Sequence, residues 1–126
     1  MEIGEIETRA AHESGADITI RYPDTLKPSD LVITVQGVDS SSWREASKKS
    51  QRELISIISR GESIESTDSF ELDALVSCTL GWKGLTKDGK AYKFSAKRCR
   101  ALYENAPNIR DQVDKFIGTR ANFTQG

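Results

Sequence analysis

The hydrophobic period of the chain changes once between residues 16 and 58, and that change limits the folds open to it. In ADITIRYP, Ile18, Ile20 and Tyr22 alternate with Asp17, Thr19 and Arg21. Such alternation belongs to a strand with one face in a core and one in water. Pro23 ends the run, and DTLKPSD reads as a turn. LVITVQGV then supplies a second apolar, β-branched run that breaks at Gly37. Two strands joined by so short a connection predict an antiparallel hairpin near 17–22 and 31–36.

After that hairpin the period is helical. Trp43, Ala46, Ser50, Leu54, Ile57 and Ile58 fall on one stripe, with serines and lysines opposite. Ser42 and Glu45 have the spacing of a capping box, and Gly61 is the expected stop. Asp68 and Glu71 can cap a second helix carrying Leu72, Leu75, Val76 and Thr79, expected to end near Leu80 before Gly81. A third helix is expected from Ser95, as N-cap, to Glu104, with Cys99, Leu102 and Tyr103 inward. Pro107 or Asn108 opens a fourth, where Ile109, Val113, Phe116 and Ile117 form an i, i+4, i+7, i+8 stripe. The expected fold class is therefore α+β, mostly helical: an N-terminal antiparallel β-hairpin followed by about four helices. Trp43, Leu54, Ile58, Leu75, Trp82, Leu102, Val113 and Phe116 are the expected core.

At 126 residues the chain is long enough for one domain with a modest core. That domain is expected to span 16–126. Residues 1–15 hold four glutamates, one arginine and only two large apolar residues, Ile3 and Ile6, and read as a flexible N-terminal arm. The lone histidine, His12, falls in this arm and reads as an exposed surface residue.

The segment between the second and third helices, WKGLTKDGKAYKFS at 82–95, carries the strongest local signal. Lys87-Asp88-Gly89-Lys90 has the Asp-Gly pair of a tight hairpin turn. Trp82, Leu85, Tyr92 and Phe94 are then the apolar feet of that hairpin. Residues 83–104 hold Lys83, Lys87, Lys90, Lys93, Lys97, Arg98 and Arg100 against Asp88 and Glu104, a local +5. Residues 61–75 hold Glu62, Glu65, Asp68, Glu71 and Asp73 with no lysine or arginine, a local −5. The whole chain nevertheless carries only −1, so it lacks the overall charge of a polyanion binder. Basic residues interleaved with aromatics can hold phosphates and stack bases. If the aromatics are core instead, the lysines form a solvated tip. Opposite charge blocks on one small domain also suit head-to-tail self-association.

Catalytic signatures are missing from the sequence. His12 has no triad or metal partner nearby, and no glycine-rich phosphate loop lies between a strand and a helix. The five acids of 61–75 lack the calcium-loop pattern with its central glycine and read as a solvated helix start. Cys78 and Cys99 have no C-x-x-C spacing; a disulfide is possible on count alone, and the favoured reading is two small buried apolar residues in a reducing compartment. No apolar run approaches the roughly 20 residues of a membrane helix. An intracellular, soluble, non-enzymatic protein without cofactor or metal is expected.

Two stretches together resemble a known family. One is QGVDSSSWREASKKSQRE at 36–53, a strand end, a Gly, Asp-Ser, an aromatic, Arg and a polar helix. The other is LGWKGLTKDGKAYKFSAKRCRALYENAPNIRDQVDKFIGTRANF at 80–123. Its order is a Trp-x-Gly loop, Phe-Ser opening a helix, Leu-Tyr-Glu closing it, a Pro-bearing break, Ile-Arg-x-Gln-Val, and a terminal Arg-Ala-Asn-Phe. This resembles the small tail assembly chaperones of long-tailed bacteriophages over about half the chain. The third helix departs from the pattern. Ala96-Lys97-Arg98 stands where related sequences often place an acidic or amide residue, which leaves room for an acidic partner.

The resemblance implies a chaperone that coats the aggregation-prone tape measure protein and helps recruit tail tube subunits. It implies action in the bacterial host cytoplasm, self-association as a ring or spiral, and absence from the mature virion. The residues expected to meet partners are Ile3, Ile6, Glu62, Glu65, Asp68, Lys87, Lys90, Lys93, Lys97 and Arg98. The alternatives are a phage structural component, such as a small head–tail or tail-terminator subunit, and a small nucleic-acid-binding protein using 83–100.

Overall fold

A computed structural model describes residues 1–3, 9–63 and 68–123. The fold is α+β: an N-terminal antiparallel hairpin followed by helices, with helix outweighing strand. A short helix, α1 (Arg9–Ser14), leads into strands β1 (Ala16–Arg21) and β2 (Pro28–Val35). Helices α2 (Ser41–Ser59) and α3 (Asp68–Cys78) follow. Then come β3 (Thr79–Lys83) and the two-residue strands β4 (Thr86–Lys87) and β5 (Lys90–Ala91). Helices α4 (Ala96–Asn105) and α5 (Pro107–Gly118) and a 3₁₀ turn, Arg120–Phe123, complete the described chain.

The hairpin forms where alternation places it, with Ala16 opposite Val35 and Ile18 opposite Ile33. Ile18, Ile20, Leu31, Ile33 and Val35 line its buried face, while Asp17, Thr19 and Arg21 stay in water. β3 adds to the far side of β2 in antiparallel register, with Trp82 opposite Ile33, so the sheet order is β1-β2-β3. This strand corrects the expected helix end near Leu80: α3 stops at Cys78 and the chain enters the sheet without a turn. Thr79 belongs to both elements. Its hydroxyl bonds the Leu75 carbonyl one helical turn back, at 2.8 Å, while its backbone already pairs with Val35.

Helices cover one face of the sheet. Leu72, Leu75 and Cys78 of α3, Cys99 and Tyr103 of α4, Val113 and Ile117 of α5, and Phe123 meet the sheet in one core. Both cysteines are free thiols, fully buried. Burial raises both thiols, Cys78 to about 11. Tyr103 donates to Thr79 across a buried 2.7 Å contact: the single Thr79 hydroxyl proton is committed to the Leu75 carbonyl, so Tyr103 must supply the other.

The expected core needs two changes. Leu75 and Val113 are buried, and Trp43, Trp82, Leu102 and Phe116 pack partly buried against the core. Leu54 is half-buried on the α3 side of α2. Ile58 is exposed, because α2 packs chiefly on α3 and Ile58 lies off that contact among the described residues. Of the two phenylalanines Phe116 and Phe123, it is Phe123 that is fully buried. The α2 cap is also shifted. Ser40, rather than Ser42, accepts from the Trp43 N–H, at 3.3 Å, and Glu13 takes the Ser41 N–H.

The expected flexible arm is corrected over 9–14. These residues form α1, and His12 is fully buried rather than exposed. Its Nδ1 accepts from the Asp39 N–H at 2.9 Å, and its ring lies 4.6 Å from that of Phe123. Gly37 permits this approach, since a Cβ there would stand 2.0 Å from the imidazole. The Gln36 side chain also donates to the Glu13 carbonyl at 2.7 Å.

Candidate functional site

The basic segment folds as a small hairpin standing off the core. Asp88 and Gly89 both take positive φ, 54° and 79°, as a tight two-residue turn between paired β4 and β5 requires. The aromatic feet fasten it. Trp82 donates its indole N–H to the Tyr92 carbonyl at 2.7 Å, its ring stacks on Tyr92 at 6.1 Å, and Phe94 meets it edge-on at 5.0 Å. The Arg98 guanidinium lies 4.8 Å from the centre of the Tyr92 ring, and the Lys87 ammonium 5.8 Å. Ser95 caps α4 as its position predicts, accepting from the Arg98 N–H at 3.1 Å.

Lys87, Lys90, Lys93, Lys97 and Arg98 are all exposed and lie along this hairpin and the first turn of α4. The structure thus brings together the five basic residues that the sequence singled out. Their positive charge faces solvent, while Trp82, Tyr92 and Phe94 are occupied with one another. A groove of about 240 Å³ runs beneath the tip between Leu85, Tyr92 and Leu102.

The acidic candidates do not form a matching patch. Ile6 and Glu65 lie outside the described residues. Ile3 is exposed, and Glu62 pairs with Arg60 at 3.2 Å. Asp68 pairs with Arg110 at 2.9 Å, which holds its carboxyl below the usual range, and Glu71 lies 3.8 Å from the same guanidinium. Asp73 pairs with Arg100, itself one of the bases of the +5 block. One residue of the acidic block and one of the basic block therefore pair within the same chain at Asp73 and Arg100. Packing α3 against α4 sets these two side by side within one chain.

Two features were not read from the sequence as parts of a surface. The first is the tip of α2, where Ile55 and Ile58 are each more than 60% exposed. The second joins the distant stretches. Asp39 accepts two hydrogen bonds from Arg120, with Nε to Oδ2 at 3.0 Å and Nη2 to Oδ1 at 3.0 Å. Behind that pair, the His12 Nε2 lies 3.4 Å from an Asp39 carboxylate oxygen, and Phe123 closes over the imidazole. An arginine-carboxylate fork of this kind fixes geometry as well as charge.

Among the described residues, no group of three or more His, Cys, Asp or Glu could hold a metal ion, and no helix is long and apolar enough to cross a membrane. Comparison of the chain with protein-family models, with curated proteins and with solved structures gives no match.

Proposed function

We propose that this chain is a tail assembly chaperone of a long-tailed bacteriophage. In this reading it binds the tape measure protein in the host cytoplasm, helps recruit tail tube subunits, and leaves before the virion is finished. It works by binding alone, with no reaction and no cofactor.

The observation that supports the reading is the Asp39–Arg120 fork. The two stretches that resemble the family, 36–53 and 80–123, are far apart in sequence, and Asp39 and Arg120 belong one to each. Phe123, from the terminal Arg-Ala-Asn-Phe, is buried behind the same pair. Residues of the two resembling stretches thus meet in space. Mass spectrometry of purified virions tests the reading. A chaperone is absent from the particle, whereas abundant copies there favour the structural-component alternative.

The basic hairpin carries a second part of the proposal, contact between copies in a ring or spiral. Its lysines are exposed, and the exposed Ile55 and Ile58 at the α2 tip offer an apolar counterpart. Screened surface pairs contribute little singly, so the apolar contact is required. Nucleic acid is the less favoured partner, because Trp82, Arg98 and Lys87 already crowd the Tyr92 ring that would stack a base. Micromolar binding with a steep salt slope, lost on replacing Lys87, Lys90 and Lys93, would reverse that preference.

A further inference from the structure

We infer that the free edge of β1, together with α5, forms a docking groove for an extended, carboxylate-bearing peptide segment of a partner protein, added to the sheet as a fourth strand.

β1 is an edge strand: β2 pairs one side, and among the described residues no strand pairs the other. Backbone groups along a strand alternate in direction. The Tyr22 N–H bonds Lys27 of the hairpin connection, so it faces inward, and Arg21 faces out. The pairing with β2 shifts register between Thr19 and Arg21, but burial alternates unbroken along β1, so Asp17 and Thr19 also present their N–H and C=O groups outward. Beside this edge lies a groove of about 570 Å³, walled on one side by β1 and on the other by α5 and the 3₁₀ turn. From Asp17 to Arg21 the edge runs about 13 Å, enough for a short extended segment.

The nature of the occupant is indicated at one end of the groove. Gln112 of α5 reaches across and makes both bonds that an added strand would make at Arg21. Its side-chain oxygen accepts from the Arg21 N–H at 2.8 Å, and its side-chain nitrogen donates to the Arg21 carbonyl at 3.0 Å. A primary amide is the side-chain equivalent of a peptide group. The edge therefore already binds an amide in strand fashion at Arg21, and the same chemistry is open at Thr19 and Asp17. Added strands of this kind take their affinity from main-chain bonds and their selectivity from alternate side chains.

The groove also sets those side chains. Phe116, half-buried, provides an apolar wall. Lys115 and Arg21 provide cations, and Lys115 makes no ion pair among the described residues. Asp17, the one carboxylate lining the groove among the described residues, already accepts from the Thr34 hydroxyl at 2.6 Å. An extended segment alternating apolar and acidic residues fits both walls. A second copy of this chain fits less well. Its own β1 would arrive with its own α5 and Gln112 in the same space. The inference does not depend on the identity proposed above, since it concerns the chemistry of one edge.

The test uses an N-acetylated, C-amidated heptapeptide alternating glutamate and valine, titrated into the full chain while backbone amide NMR signals are followed. Binding should shift the Asp17, Thr19 and Lys115 signals and slow exchange of the Thr19 amide. The lysine–valine counterpart, and a glutamate–valine peptide N-methylated on its strand-facing residues, should each bind at least about tenfold more weakly. Thr19→Pro removes one outward donor at an edge position that tolerates proline, and should weaken binding by a similar factor. Gln112→Ala should act in the opposite sense, tightening binding by freeing the Arg21 groups. The inference is overturned by no shifts at millimolar peptide, by shifts centred elsewhere, by equal binding of the N-methylated peptide, or by weaker binding to Gln112→Ala.

Discussion

Replacing Phe123 by alanine should destabilise the domain more than replacing Phe116, although Phe116 sits on the cleaner helical stripe. Phe123 is 2% exposed, stacks on His12 at 4.6 Å and meets Phe116 edge-on at 5.5 Å. A buried aromatic side chain removes about 150–250 Å² from water, which at about 25 cal/mol per Å² corresponds to roughly 4–6 kcal/mol. Alanine keeps a small part of that, so about 3–5 kcal/mol should be lost, in line with other buried aromatic truncations. Phe116 is only half-buried, and its truncation should cost about 1–3 kcal/mol. Because Phe123 lies in the terminal turn, that turn can detach instead of leaving a cavity. Detachment would expose His12 and loosen α1, so the loss remains large. Urea unfolding of both variants reads the difference directly. With a slope of about 1–3 kcal/mol per M, Phe123→Ala should move the midpoint down by more than 1 M. A loss within about 0.5 kcal/mol, or a larger loss for Phe116→Ala, would refute the closing role assigned to the terminal turn.

Three further outcomes follow from the same geometry. Thr79→Val should cost about 1–3 kcal/mol, because it removes the oxygen that accepts from the buried Tyr103 hydroxyl and leaves only the weaker Cys99 sulfur beside it, whereas Tyr103→Phe should cost nearer 1 kcal/mol, since Thr79 keeps its bond to Leu75; urea midpoints of the two variants give the order. Folding holds the Cys78 thiol up at about 11 against an ordinary 9.0, so the folded state keeps its proton longer. That contribution is complete below pH 9 and is lost as pH rises towards 11, and Cys78→Ala should flatten the decline in thermal midpoint over that window. Reversing Lys87, Lys90 and Lys93 to glutamate should abolish the salt-sensitive part of self-association in sedimentation, while a strict monomer of the parent chain at low salt and high concentration would reject the subunit contact.

The helices after residue 95 were legible because their information is local. Ser95 before a polar run and Ile109, Val113, Phe116 and Ile117 at helical spacing need no distant partner to be read. The β1–β2 hairpin was legible for the same reason, through strict alternation and a short connection. β3 was not, because Thr79 continues the stripe of Leu72, Leu75 and Val76 and even makes a helical bond back to Leu75. Only pairing with Ile33 and Val35, more than forty residues away, makes TLGWK a strand. His12 was misread for a related reason. Its neighbours are polar and acidic, and the groups that bury it, Gly37, Asp39 and Phe123, come from two distant segments. Lys87, Lys90 and Lys93 stay together and exposed, since a two-residue turn projects its lysines wherever the hairpin sits. The acidic half did not, because α3 lies against α4 and α5, which satisfy Asp73 with Arg100 and Asp68 with Arg110.

As the tail assembly chaperone proposed above, this chain should keep a tape measure protein soluble during tail assembly. Co-expression with the tape measure protein of the same phage, followed by size-exclusion chromatography and subunit stoichiometry, tests it most directly. The tape measure protein should be insoluble alone and should elute in a soluble complex carrying many copies of this chain. A tape measure protein that remains insoluble in its presence, or dissolves without retaining it, would contradict the account.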